Sequence, residues 1–148
     1  MVNAGKRNVP DTPNNEKLDC LALARELAIY SVNKLSNTNK FPLNYHYTMT
    51  AEIVSKAKDV YRLGKRANDI YVDSVNNKEL LRSRFKKRIE FENEAIFLFS
   101  DLLADINIAK SVFHIRGKTY RHWTSMVINT REAYKAWRES EIERLNKI

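Results

Sequence analysis

The chain has 148 residues, 43% of them hydrophobic, with 26 Lys and Arg against 18 Asp and Glu, a formal net charge of +8 at pH 7. That length suits one domain around one core, and the charge favours an anionic partner such as RNA, DNA or an acidic protein surface. The single cysteine excludes an intramolecular disulfide and a thiolate-cluster metal site, and no stretch reaches the roughly 18 apolar residues of a membrane span or looks like a signal peptide, so the expectation is a cytoplasmic protein without membrane association.

Residues 1–14 hold two of the 3 prolines and almost no hydrophobic side chain, which predicts a flexible tail ahead of one helical domain over residues 15–148. From residue 15 to about 36, Leu18, Leu21, Ala24, Ala28, Val32 and Leu35 recur at a helical period and give a first helix. The segment NTNKFP stops it, and Pro42 suits the first turn of the next. A second helix is predicted from residue 43 to about 76, about 50 Å long at 1.5 Å per residue. Its buried stripe is Ile53, Val54, Ala57, Val60, Tyr61, Gly64, Ala67 and Tyr71. Ala57, Gly64 and Ala67 are small enough to admit a close neighbour, although glycine inside a helix costs up to about 1 kcal/mol against alanine.

Asn76 and Asn77 form a short connector, so a third helix should lie antiparallel to the second, with Leu81, Phe85, Ile89, Ile96, Phe99, Leu103 and Ile106 inward. It should end near Lys110, with SVFHIRG as the turn and Gly117 as the breaker. A fourth helix carries Tyr120, Trp123, Val127, Thr130, Tyr134 and Trp137, three and four residues apart, as a packing seam. Four amphipathic helices, short loops and no strand signal predict an all-α, up-down-up-down four-helix bundle.

Catalytic patterns are weak. Glu90, Glu94, Asp101 and Asp105 share one stripe of the third helix, but a bundle di-metal site also needs a Glu-x-x-His pair, and His46, His114 and His122 have no acid three residues before them. The acidic stripe therefore reads as a solvated or intersubunit face, and the two histidines beside the last turn as surface or capping residues. There is no nucleophile elbow, and GKTY lacks the first glycine and spacing of a phosphate loop. The expectation is a protein without catalytic residues, metal or cofactor.

The basic residues are better organised. Arg82, Arg84, Lys86, Lys87 and Arg88 surround Phe85, which can be buried while the charges project. On the fourth helix Arg121, Arg131, Lys135 and Arg138 flank the aromatic seam. Lys58, Arg62, Lys65 and Arg66 share a face of the second that turns acidic at Asp69 and Asp73. Such surfaces bind phosphates with steep salt dependence and little base specificity, and no sequence-reading motif is present. Phe91, Leu98 and Leu102, with Ile70 on the second helix, widen the apolar arc beyond what one core needs, which suggests either self-association or a thick core.

The stretch KFPLNYHYTMTAEIVSKAKDVYRLGKRAND at residues 40–69 resembles the second helix of a four-helix-bundle family. That family comprises the accessory variability determinants (Avd) of diversity-generating retroelements and the proteins encoded in large-subunit rRNA intervening sequences. The shared elements are the Phe41-Pro42 lead-in, the aromatic pair Tyr45 and Tyr47, and the long amphipathic helix. The run 111–137, with Lys118, Tyr120 and the closing Ala136-Trp137, is similar to the family's last helix. The resemblance covers roughly residues 16–140 and implies a homopentameric barrel of bundles with a basic surface. It implies as partners an error-prone reverse transcriptase and its template RNA, or an RNA/DNA hybrid, in mutagenic cDNA synthesis. The alternative within the family is an RNA-binding or interaction bundle of the intervening-sequence type with no reverse transcriptase. The nucleic-acid contacts proposed at the basic residues above come from this sequence alone. The tail and the closing ESEIERLNKI depart from the family pattern.

Overall fold

The computed structural model describes the backbone from Pro13 to Ile148 and the side chains from Asp19 onward. Among these residues the fold is all-α, with four long helices and no strand: α1 (Pro13–Leu35), α2 (Ala51–Asp69), α3 (Lys78–Val112) and α4 (Gly117–Asn146). The expected tail falls outside the described residues except for Pro13 and Asn14, which belong to α1. Each helix packs on two others, α1 and α3 both lying against α2 and α4, so the four apolar stripes meet in one core. No helix among the described residues is long and apolar enough to cross a membrane.

The seam on α4 is the best-ordered part of that core. Trp123, Val127, Thr130, Tyr134 and Trp137 are all buried, with Tyr120 at the partly exposed end. Trp123 donates from Nε1 to the hydroxyl of buried Ser31 on α1 at 3.0 Å, which satisfies the indole N–H inside the core. Tyr134 reaches across to α2 and donates to the Val60 carbonyl at 2.8 Å. Gly64 makes this possible: a Cβ there would lie 2.2 Å from the Tyr134 hydroxyl and 2.9 Å from Leu21. The small residue thus admits one phenol to a bare stretch of helix backbone rather than a whole neighbouring helix.

Three predicted boundaries move. Residues 43–50 are a tight 3-10 turn, Leu43–Tyr45, followed by a π turn, His46–Thr50, before α2 proper. The second helix stops at Asp69 instead of near 76. Ile70 is extended, and Tyr71, expected in the core, is 61% exposed. Arginines of α3 take the carbonyls that a continuing helix would use, Arg88 that of Ile70 at 2.8 Å and Arg84 that of Tyr71 at 2.9 Å. Asn77 then caps α3, its side chain accepting from the Leu80 N–H at 3.0 Å. At the far end of α3 the breaker is His114, not Gly117. His114 is left-handed at φ 54, and the Ile115 N–H returns to the Lys110 carbonyl at 3.1 Å, the closure of a Schellman motif. Gly117 instead opens α4.

On α3 the inward face is Phe85, Arg88, Glu92, Ala95, Ile96, Phe99, Leu102, Ile106 and Ala109. Leu81, Ile89 and Leu103, expected inside, are only partly buried. Leu102, read as surplus apolar surface, is core, whereas Phe97 is 75% exposed.

Gly64→Ala is expected to destabilise the fold by about 2 kcal/mol, because overpacking Tyr134 outweighs alanine's better helix propensity. Combining it with Tyr134→Phe should cost less than the two single changes added, and urea denaturation of the four proteins measures this. Additive losses would mean that the two residues do not share one space.

Candidate nucleic-acid interface

The residues expected to meet nucleic acid separate by environment. Arg62 lies 2.8 Å from Asp59, and Lys87 lies 3.0 Å from Glu90 with its ammonium 5.1 Å from the Phe91 ring centre. Arg131 and Lys135 share Glu132, each at 3.4 Å. Arg138 donates to Asn93 at 2.9 Å and approaches Glu139 at 3.4 Å. These solvent-facing pairs are screened and weak, yet they tie down cations that a phosphate would have to take over. Arg82, Lys86, Lys65, Arg66 and Arg121 have no side-chain carboxylate partner among the described residues and are exposed. Arg82, Lys86 and Lys87 line a shallow groove of about 540 Å³ on α3 that also holds Glu79 and Glu90. None of the α2 or α4 cations lines that groove.

Arg88 is a correction. Its side chain is 1% exposed and makes a two-pronged ion pair with Glu141 of α4, Nε to Oε1 and Nη2 to Oε2 both at 2.7 Å. With Nη1 on the Ile70 carbonyl, three of its donor nitrogens are committed inside the protein. It cannot touch a nucleic acid in this fold. Phe85 is buried as expected, under the Arg144 guanidinium at 4.8 Å.

Beside this pair lies Glu92, fully buried, with no hydrogen-bond partner on either carboxyl oxygen. Trp137 Nε1 and Arg138 Nε are buried and unpartnered as well. Burial, then the Glu141 charge, push the Glu92 carboxyl up to about 10, and the opposing charges of Arg88 and Arg138 offset only part of this. Glu92 is therefore a neutral acid at physiological pH, which resolves an otherwise untenable pair of carboxylates in one core.

The acidic stripe of α3 faces outward. Glu94 and Asp101 are exposed, and Asp105 holds Lys56 of α2 at 2.5 Å, a hydrogen bond that raises the lysine's proton affinity. His122 stands on the surface, edge-on to Tyr30 at 5.2 Å. Among the described residues no three His, Cys, Asp or Glu side chains gather as metal donors.

Sequence reasoning missed one basic cluster. Lys34, Lys40, His114 and Arg116 converge where the loop after α1 meets the α3–α4 turn, around a groove of about 300 Å³. The legible signal was that Lys40 directly precedes Phe41 and Arg116 directly precedes Gly117, so both sit at chain reversals. Compared with family models, curated proteins and solved structures, the chain matches none.

Two changes test the buried network. Arg88→Ala should cost about 3–5 kcal/mol, since it strands the Glu141 charge in the core. For Glu92 the folded value lies above the ordinary 4.5, so the stability tied to its neutral form is complete below pH 4.5, falls as pH rises, and is gone above about 10. Glu92→Gln should accordingly flatten the decline in urea midpoint between pH 5 and 9 and stabilise the protein at pH 8. A slope identical to the parent's would remove Glu92 as its source.

Proposed function

We propose that this protein is a non-catalytic accessory factor of the diversity-generating retroelement type. In this reading an up-down-up-down bundle assembles into a homo-oligomer that binds a reverse transcriptase and its template RNA in the cytoplasm. The observation carrying it is the pairing of two surfaces. Exposed cations without a side-chain carboxylate partner stand at Arg82, which donates to the Ile148 main-chain oxygen at 3.1 Å, and at Lys86, Lys65, Arg66 and Arg121, while α3 turns Phe97, Ile108 and Val112 outward along one line. An aromatic ring 75% exposed and bordered by Glu94 and Asp101 fits a face that another basic copy covers. Phosphate recognition then depends on charge and shape, which suits a partner that must engage template RNA regardless of its sequence.

The reading is tested in two steps. Light scattering should give an oligomer for the parent and a monomer for Phe97→Glu combined with Ile108→Glu; a monomeric parent sinks the assembly. In gel shifts with a structured RNA, Arg82→Ala with Lys86→Ala should lower the slope of log affinity against log salt by about 2. An unaltered slope would clear those residues of phosphate contact. Copurification with a co-expressed retroelement reverse transcriptase separates this function from that of an intervening-sequence bundle, which binds RNA without one.

A further inference from the structure

The groove between the loop after α1 and the α3–α4 turn has a lining unlike the helix faces. Lys34, Lys40, His114 and Arg116 line it together with Thr119 and Asn39, and no acidic residue belongs to the lining. None of the four basic groups has an ion-pair partner among the described residues, and, unlike the α3 groove with its Glu79 and Glu90, this one gathers them with no acid in the lining. Lys34 leans over the Tyr30 ring at 5.4 Å, which fixes its stem without neutralising its charge.

The floor is rigid. Phe41 is buried and packs edge-on to Phe113 at 5.0 Å, and Tyr45 closes on the same ring at 5.2 Å. The two loops that carry the basic groups are thereby held together through their aromatic neighbours. His114 stands in the left-handed position that glycine usually fills at a helix end, which sets its imidazole on the rim. Like charges gathered in a concave, partly apolar site repel one another and focus a positive potential that an anion relieves.

The geometry points to a phosphate-binding site in this groove, with Lys40 and Arg116 as its principal ligands. Its volume of about 300 Å³ admits a phosphate group with a small organic substituent, either on a free nucleotide or at the end of an RNA strand. The inference does not rest on the reverse-transcriptase reading, because a free nucleotide occupies the groove equally well if the protein never binds RNA.

The experiment is a titration of the full chain at low ionic strength with inorganic phosphate, adenosine monophosphate, and a short single-stranded RNA carrying either a 5′-phosphate or a 5′-hydroxyl. Amide NMR signals of Ile115, Gly117 and Thr119 are followed. Saturable shifts with phosphate or the mononucleotide assign a free-nucleotide ligand. Preference for the 5′-phosphorylated RNA, without response to the mononucleotide, assigns the RNA end. In either case Lys40→Ala with Arg116→Ala should weaken binding at least about tenfold, and Lys78→Ala with Lys147→Ala, a pair assigned to no binding surface, should leave it unchanged. Both pairs are exposed, and circular dichroism checks that each variant folds. The site is overturned if no probe shifts these amides saturably, or if the shifts survive in the Lys40 and Arg116 double variant.

Discussion

The arrangement of this protein depends on a charged pair placed where a hydrophobic contact would be expected. Arg88 and Glu141 meet in two parallel hydrogen bonds inside the core, joining the first half of α3 to the last turns of α4. Two such charges lose their hydration on burial, and their attraction compensates only when geometry and remaining hydrogen bonds are good. Here the third nitrogen of Arg88 goes to the Ile70 carbonyl, so the same side chain also settles where α2 stops and the connector begins. A hydrophobic substitute would fill the space without fixing that register. The neutral Glu92 belongs to the same solution: a second ionised carboxyl beside Glu141 would undo the balance, and burial keeps it protonated.

Drawing Arg88 inward alters the surface as well as the core. The run of five cations at residues 82–88 becomes a discontinuous set in which Arg84 serves the Tyr71 carbonyl and Lys87 is matched to Glu90. Local charge density in the sequence is therefore a poor measure of the field available to a ligand. A cation on a long helix has neighbours three and four residues away, and in this chain those neighbours are often acids, as with Asp59 and Arg62 or Glu132 and Lys135.

That contrast also explains what was legible beforehand. The α4 seam was read correctly from Trp123 to Trp137, because large aromatics spaced three and four apart leave one choice of inward face. On α3 the apolar residues circle the helix, so periodicity could not select Leu102 over Phe97, and no hydropathy pattern places Arg88 and Glu92 inside. The burial of Arg88 follows from a partner 53 residues away in sequence. The end of α2 was missed for the same reason: residues 72–77 are Val, Asp, Ser and Asn, all poor helix formers, but the deciding contacts come from α3. The α3 stop was expected near Lys110 and falls at Val112, but the left-handed residue beyond it is His114, whereas glycine, the usual choice, stands three positions later.

The proposed phosphate groove sits where two chain reversals meet, apart from the cations on the helix faces. Along the helices Arg62, Lys87, Arg131 and Lys135 are matched to acids of their own helix, whereas Arg82, Lys86, Lys65, Arg66 and Arg121 have no side-chain carboxylate partner among the described residues. At a chain reversal there is no residue three positions away on the same face to supply the opposing charge. Lys40 and Arg116 keep their full charge for that reason, while the Phe41–Phe113 contact holds the backbone on either side of the groove in place. A ligand meeting those loops encounters unmatched charge on a rigid base, so less ordering is required on binding than at the helix faces. The number of cations in the chain favours an anionic partner, and the two turns gather Lys40, His114 and Arg116 around one groove whose lining includes no acid.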